Sequence, residues 1–139
     1  MRMVRSLDGF TIVHSTLDEP DKWGYVFEEL EAEASFTYQT TPVCFHGHTH
    51  VPCIYENENG IRKSNYHKIK VTIGKPYFIN VGSVGQPRDG DSRAAYVVYD
   101  TKTRELELRR VVYDIAGAQR KILDAGLPEG LAHRLALGK

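Results

Sequence analysis

Phe45-His46-Gly47-His48-Thr49-His50-Val51-Pro52 is the segment whose chemistry constrains the rest of the chain. With Val43 and Cys44 before it, Val43 to His46 reads as a short β-branched and aromatic strand, and Gly47 to Pro52 reads as the turn that follows. His48 and His50 stand two residues apart in that turn. In an extended turn such residues project to opposite sides, so the pair can contact two neighbouring ions rather than chelate one. Gly47 is expected to let the backbone bend sharply just before them. A histidine pair of this spacing also arises by chance, and lone histidines in globular proteins are commonly surface or packing residues.

Upstream, Phe10-Thr11-Ile12-Val13-His14 is another short strand candidate, and it delivers a third imidazole, His14, to a loop. Three imidazoles from strand ends can converge on a divalent metal ion. Between the two strands, Trp23, Val26, Phe27, Leu30 and Ala34 recur at helical spacing, which predicts an amphipathic helix from about Lys22 to about Glu33. In that helix Trp23 and Phe27 belong to the core, and Glu28, Glu29, Glu31 and Glu33 form a solvated face. Downstream, Cys53 to Tyr55, Lys68 to Ile73 and Tyr77 to Asn80 are strand candidates expected to be antiparallel neighbours. The Gly82 to Asp91 stretch is too rich in glycine, proline and aspartate for a regular element and predicts a surface loop. Ala94 to Asp100 and Glu105 to Tyr113 form a hairpin, and Ile115 to Leu137 reads as two short helices broken at Gly126-Leu127-Pro128.

The 139 residues suit one domain, and 41% apolar with 26% charged residues is the composition of an ordinary globular protein. Eighteen basic side chains balance eighteen acidic ones, so no global field recruits a nucleic-acid polymer or an anionic membrane. No apolar run approaches the roughly twenty residues that span a bilayer. The start carries no apolar signal region, which predicts a cytoplasmic location. Cys44 and Cys53 are too few for a disulfide framework and read as buried or neutral thiols.

Two segments together carry a family resemblance. Phe45 to Pro52 resembles the GHTHxP signature of the calcineurin-like metallophosphoesterases, and Asn80-Val81-Gly82-Ser83-Val84-Gly85-Gln86-Pro87-Arg88-Asp89 is similar to the NxGSxGxPR loop downstream of it. Val13-His14-Ser15 sits where that family places an upstream HG histidine, with Ser15 in place of the glycine. The likeness is greatest to the small prokaryotic phosphodiesterase branch and runs from about Leu7 to about Ala125. It implies an α/β fold: the C-terminal half of a metallophosphoesterase αββα sandwich, with a mostly antiparallel sheet and peripheral helices. It further implies that His14 and His48 bind one metal and His50 the other, the ions being Mn, Zn, Fe or Ni. His46 is then a packing residue beside the site, and His67 and His133 lie on the surface. Arg88 and the backbone amides of Gly82 to Gly85, Gly82 and Ser83 among them, are candidates to hold a substrate phosphate; equally, this loop is a structural turn and Arg88 an ion-pair former.

The family's DxH, GDxxD and GNH(D/E) motifs do not occur in residues 1–139; Gly90-Asp91 lacks the second aspartate. Without bridging carboxylates, two dications a few ångströms apart repel, so imidazoles alone are expected to hold at most one ion, weakly. The chain therefore reads as a partial phosphoesterase domain, inactive alone and supplying no catalytic residue itself. It acts on a phosphate ester only once completed by a homo-oligomer or a complementing N-terminal half. The alternative is a non-catalytic metal-binding or assembly module that oligomerises through an exposed sheet. A further possibility recruits Asp18 or Asp89 across a dimer.

Overall fold

The computed structural model describes residues 3–139. Its centre is a six-stranded sheet in the order β1-β2-β3-β7-β4-β5, formed by Val4–Leu7, Phe10–Val13, Val43–His46, Tyr77–Asn80, Cys53–Asn57 and Ile61–Ser64. Strands β2, β3 and β7 run parallel, with Ile12 opposite Phe45 and Phe45 opposite Ile79; the other neighbours are antiparallel. A second, antiparallel sheet has the order β6-β9-β8, from Lys68–Lys70, Glu105–Val111 and Ala94–Asp100. The α/β class and the mostly antiparallel pairing agree with expectation.

Alternation along the central strands separates two cores. Val43, Phe45, Ile54, Tyr77 and Ile79 face the second sheet, where they meet Leu106 and Leu108. Cys44, Cys53, Tyr55 and Phe78 face the other way, with Val13, Val26 and Ala32. Ala32 belongs to the helix α1, Glu29–Tyr38, which covers that side. The helices α2, Ile115–Asp124, and α3, Glu129–Leu137, pack on each other at the C-terminal end of the described chain.

The segment before α1 departs from the expected helix. Glu31 turns its carboxylate back to accept the Phe27 and Glu28 backbone N–H groups at 2.8 and 2.6 Å, which starts the helix at Glu29 rather than Lys22. Residues 24–27 form no regular element, and exposure alternates there about the buried Val26. Val26 points inward, whereas Trp23, Tyr25 and Phe27 are 45%, 52% and 47% exposed. Trp23 and Phe27 are therefore not core, and Leu30 also faces solvent. Two strands, β1 and β5, carry too little apolar patterning to stand out, and β6 joins β9 rather than β4 or β7.

Candidate metal centre

Parallel pairing brings the C-terminal ends of β2, β3 and β7 side by side, and each continues directly into a loop. The backbone keeps them joined past the strand ends: Gly47 N–H donates to the His14 carbonyl at 3.0 Å, and Val81 N–H donates to the His46 carbonyl at 2.9 Å. Such adjoining carboxyl ends of parallel strands are where open α/β sheets bind ligands. His14 leaves β2 and His48 leaves β3 on the same side, and their rings meet with His14 Nε2 2.9 Å from His48 Nδ1.

The turn carrying His48 and His50 is not extended. His48 has φ 67° and His50 φ 63°, both in the left-handed region that side chains other than glycine's rarely adopt. The bend expected at Gly47 is thus borne by the histidines themselves, at a cost of roughly 1–2 kcal/mol each. Such strain persists only where the surroundings over-determine the backbone. Thr49 N–H donates to the Gly47 carbonyl at 2.8 Å, and buried Asn80 donates from Nδ2 to both the Gly47 carbonyl and Thr49 Oγ1, each at 2.8 Å. The two histidines consequently reach different neighbours, His48 the His14 ring and His50 the loop after β7.

His50 Nδ1 lies 2.9 Å from the Gln86 carbonyl. Since a carbonyl only accepts, Nδ1 carries the proton and Nε2 is left with a free lone pair, the tautomer in which a backbone partner orients a metal ligand. Burial, aided by the Arg88 charge, holds His50 below the usual imidazole value. Burial, then the His14 charge, does the same to His48, and its Nε2 is buried without a partner among the described residues. Neutral imidazoles with an unused ring nitrogen are the form that binds a divalent ion, so these side chains fit one. Among the described residues, however, no three His, Cys, Asp or Glu side chains form a ready ligand cluster. His14 and His48 are brought together; His50 stands apart from them.

The remaining candidates are placed as follows. Arg88 bonds Gln86 Oε1 through Nε at 3.1 Å and Nη2 at 2.5 Å, which folds the guanidinium onto its own loop. Gly82 N–H is already given to Asn80 Oδ1 at 2.9 Å, and Ser83 Oγ accepts from Gln86 N–H at 3.0 Å. Gly82 N–H is therefore engaged within the loop itself. Asp89 pairs with Arg110, while Asp18 keeps one buried carboxylate oxygen without a partner among the described residues. His46 is only 2% exposed, stacks on Phe78 at 4.0 Å with the rings 4° from parallel, and is held neutral by burial, its pKa pushed down to about 3. Its role as a packing residue is as expected. His67 and His133 are exposed.

Sequence reasoning missed the positioning work of Asn80 and Thr49, although both lie in the quoted motifs. It also missed the aromatic ring around the histidines: Trp23 meets His14 at 4.7 Å between ring centroids, and Tyr25 meets His48 at 4.3 Å. A cleft of about 380 Å³ opens beside His14 and Gly47, and a neighbouring apolar groove of about 450 Å³ shares Ile12, Phe45 and Val81 with it.

The sequence matches the calcineurin-like phosphoesterase superfamily domain over residues 3–104. An uncharacterized protein of Methanocaldococcus jannaschii, MJ0912, is 40% identical over 126 residues, which cover 91% of this chain and 50% of that protein. A metallophosphoesterase from Sphaerobacter thermophilus superposes with a TM-score of 0.90 at 36% identity, over all of this chain and 60% of that one. The hypothetical protein PH1004 from Pyrococcus horikoshii OT3 shares the fold, with a TM-score of 0.68 at 17% identity over 99% of this chain and 51% of that one. The chain thus spans about half the length of the curated relative it matches.

Proposed function

This chain belongs to the calcineurin-like phosphoesterase superfamily, and from that premise we propose that it supplies the histidine side of a two-metal phosphoesterase centre whose carboxylates come from elsewhere. Metal-dependent hydrolysis of phosphate esters is the family's chemistry, and its members generally work with divalent metal ions. In this reading His14 and His48 hold one ion and His50 the other. When bound, such ions supply Lewis acidity toward the phosphate ester. The chain's own contribution is to present neutral imidazoles, with Asn80 and Thr49 fixing the turn and Gln86 fixing the His50 tautomer.

The observation that carries this reading is the conjunction at His48: a left-handed backbone, a 2.9 Å approach to His14, and a buried Nε2 with no partner among the described residues. Strain and an unused buried nitrogen are both costly, and a ligand role accounts for both. With no carboxylate beside the imidazoles, the isolated chain holds at most one ion weakly and does not turn over substrate. We propose a cytoplasmic location for the completed protein; among the described residues no helix is long and apolar enough to cross a membrane.

The uncovered side of the fold supports a complementing partner. Among the described residues strand β8 pairs with β9 alone, and beside its outer edge the groove leaves Ile12 43% exposed. An open strand edge next to apolar surface invites another chain. The same surface also supports the second reading, an assembly module that oligomerises there without catalysis. Mixing this chain with the separately expressed part of the Sphaerobacter thermophilus protein outside the matched region, with Mn²⁺ and a generic phosphodiester, decides between them. Turnover by the mixture and not by either chain supports the first reading; stable homo-oligomers with no turnover support the second.

A further inference from the structure

The helix α3 ends on a residue that two separate constraints restrict to glycine. Gly138 lies in the left-handed region, at φ 64°, and closes the helix: its N–H donates to the Leu135 carbonyl at 3.4 Å, and Lys139 N–H donates to the Arg134 carbonyl at 3.2 Å. A Cβ at Gly138 would also stand 2.8 Å from both N and C of Asp91 and 2.9 Å from the Gly90 carbonyl carbon. Backbone therefore rests on backbone, with no room for a side chain between. Gly90 N–H seals the contact by donating to the Gly138 carbonyl at 3.0 Å.

The segment held in this way is the one that holds His50. Gln86 offers its carbonyl to His50 Nδ1, and Arg88 N–H donates to the His50 carbonyl at 3.2 Å, so this loop grips both the ring and the backbone of that residue. Pro87 between them is fully buried and its ring fixes φ, which makes Gln86 to Gly90 a stiff connector. Asp89 and Asp91, on either side of Gly90, are engaged by Arg110 and Arg93. A displacement at Gly90 consequently reaches the Gln86 carbonyl.

We propose that Gly138 is a positioning residue for the metal centre: the end of α3 seats the Gln86 to Gly90 segment so that the Gln86 carbonyl keeps the His50 proton on Nδ1 and leaves Nε2 bare. The purpose of this clamp rests on the reading of His50 as a metal ligand. Its source is a helix outside residues 3–104, the stretch that matches the phosphoesterase domain.

Side-chain nitrogen NMR of the metal-free chain at pH 8, where an ordinary imidazole is neutral, reads the tautomer of each histidine, and the His50 signals are those lost in His50→Gln. The wild type should show His50 protonated on Nδ1 alone. Gly138→Asn retains a residue that tolerates the left-handed turn but drives a Cβ into Asp91, so His50 should then average between its two tautomers. Gly126 lies in the same backbone region, at φ 69°, with nothing within 4 Å of an added Cβ, so Gly126→Asn should leave His50 as it is. An averaged His50 in the wild type overturns the clamp, as does an unchanged His50 in folded Gly138→Asn or an equal change in Gly126→Asn. Native-state hydrogen exchange of the wild type needs no substitution: as urea rises, the Gly90 and Arg88 amides should lose protection in one step, and Arg88 protection that survives opening at Gly90 also overturns the clamp. Because no metal is present, failure here leaves the metal-centre reading standing, and failure of zinc binding leaves the clamp standing.

Discussion

Asn80 donates to the Thr49 hydroxyl at 2.8 Å across a separation of 31 residues, and this buried bond ties the loop after β7 to the turn after β3. The same amide donates to the Gly47 carbonyl and accepts Gly82 N–H, while the Asn80 carbonyl receives the Tyr66 hydroxyl at 2.7 Å. One fully buried residue thereby holds both loops at once, and it stands opposite His46 in the register of β3 and β7.

Asn80→Ala should therefore destabilise the chain by about 2–4 kcal/mol, since it leaves a carbonyl, a hydroxyl and an N–H buried without their partner. Asn80→Asp should be nearly as harmful because a carboxylate cannot donate to the Gly47 carbonyl. Urea denaturation checks both, through a lower midpoint at unchanged slope.

Gly82 has φ 78°, and a Cβ there would lie 2.7 Å from Ala95 Cβ and 2.8 Å from Pro52 Cγ. Gly82→Ala combines backbone strain with a clash against packed atoms and should cost about 2–4 kcal/mol. Gly85, with nothing within 4 Å of an added Cβ, provides the control: Gly85→Ala should change the thermal midpoint little.

Cys44 and Cys53 are free and buried, and burial pushes the Cys44 thiol up to about 12 and raises that of Cys53. Thiolate is the reactive form, so neither should react with Ellman's reagent at pH 8 while the chain is folded. Both should titrate once urea is added. Rapid reaction of the folded chain would show that the core around β3 and β4 opens readily.

The strand ends of the site were legible because short β-branched runs stop at glycine and histidine, as in Val43 to Gly47. The parallel pairing that sets His14 beside His48 was not, since it depends on β3 returning next to β2 after the chain has passed through α1. Trp23, Val26 and Phe27 satisfy helical spacing and also satisfy alternation about Val26; the Glu31 carboxylate, bonded back to residues 27 and 28, decides for the second. Gly82 read as a phosphate-binding amide because nothing local reveals that Asn80 already holds it. The left-handed backbone of His48 and His50 is imposed by that same distant clamp, so the glycine between strand and turn misdirected the expectation.

The central claim is that His14 and His48 form a metal-binding pair. Isothermal titration of the purified chain with Zn²⁺, repeated for His14→Ala and His48→Ala, tests it most directly. The account predicts weak binding of at most one ion per chain, lost by tenfold or more in either variant. Zinc binding of the same stoichiometry and affinity in wild type and both variants would contradict it.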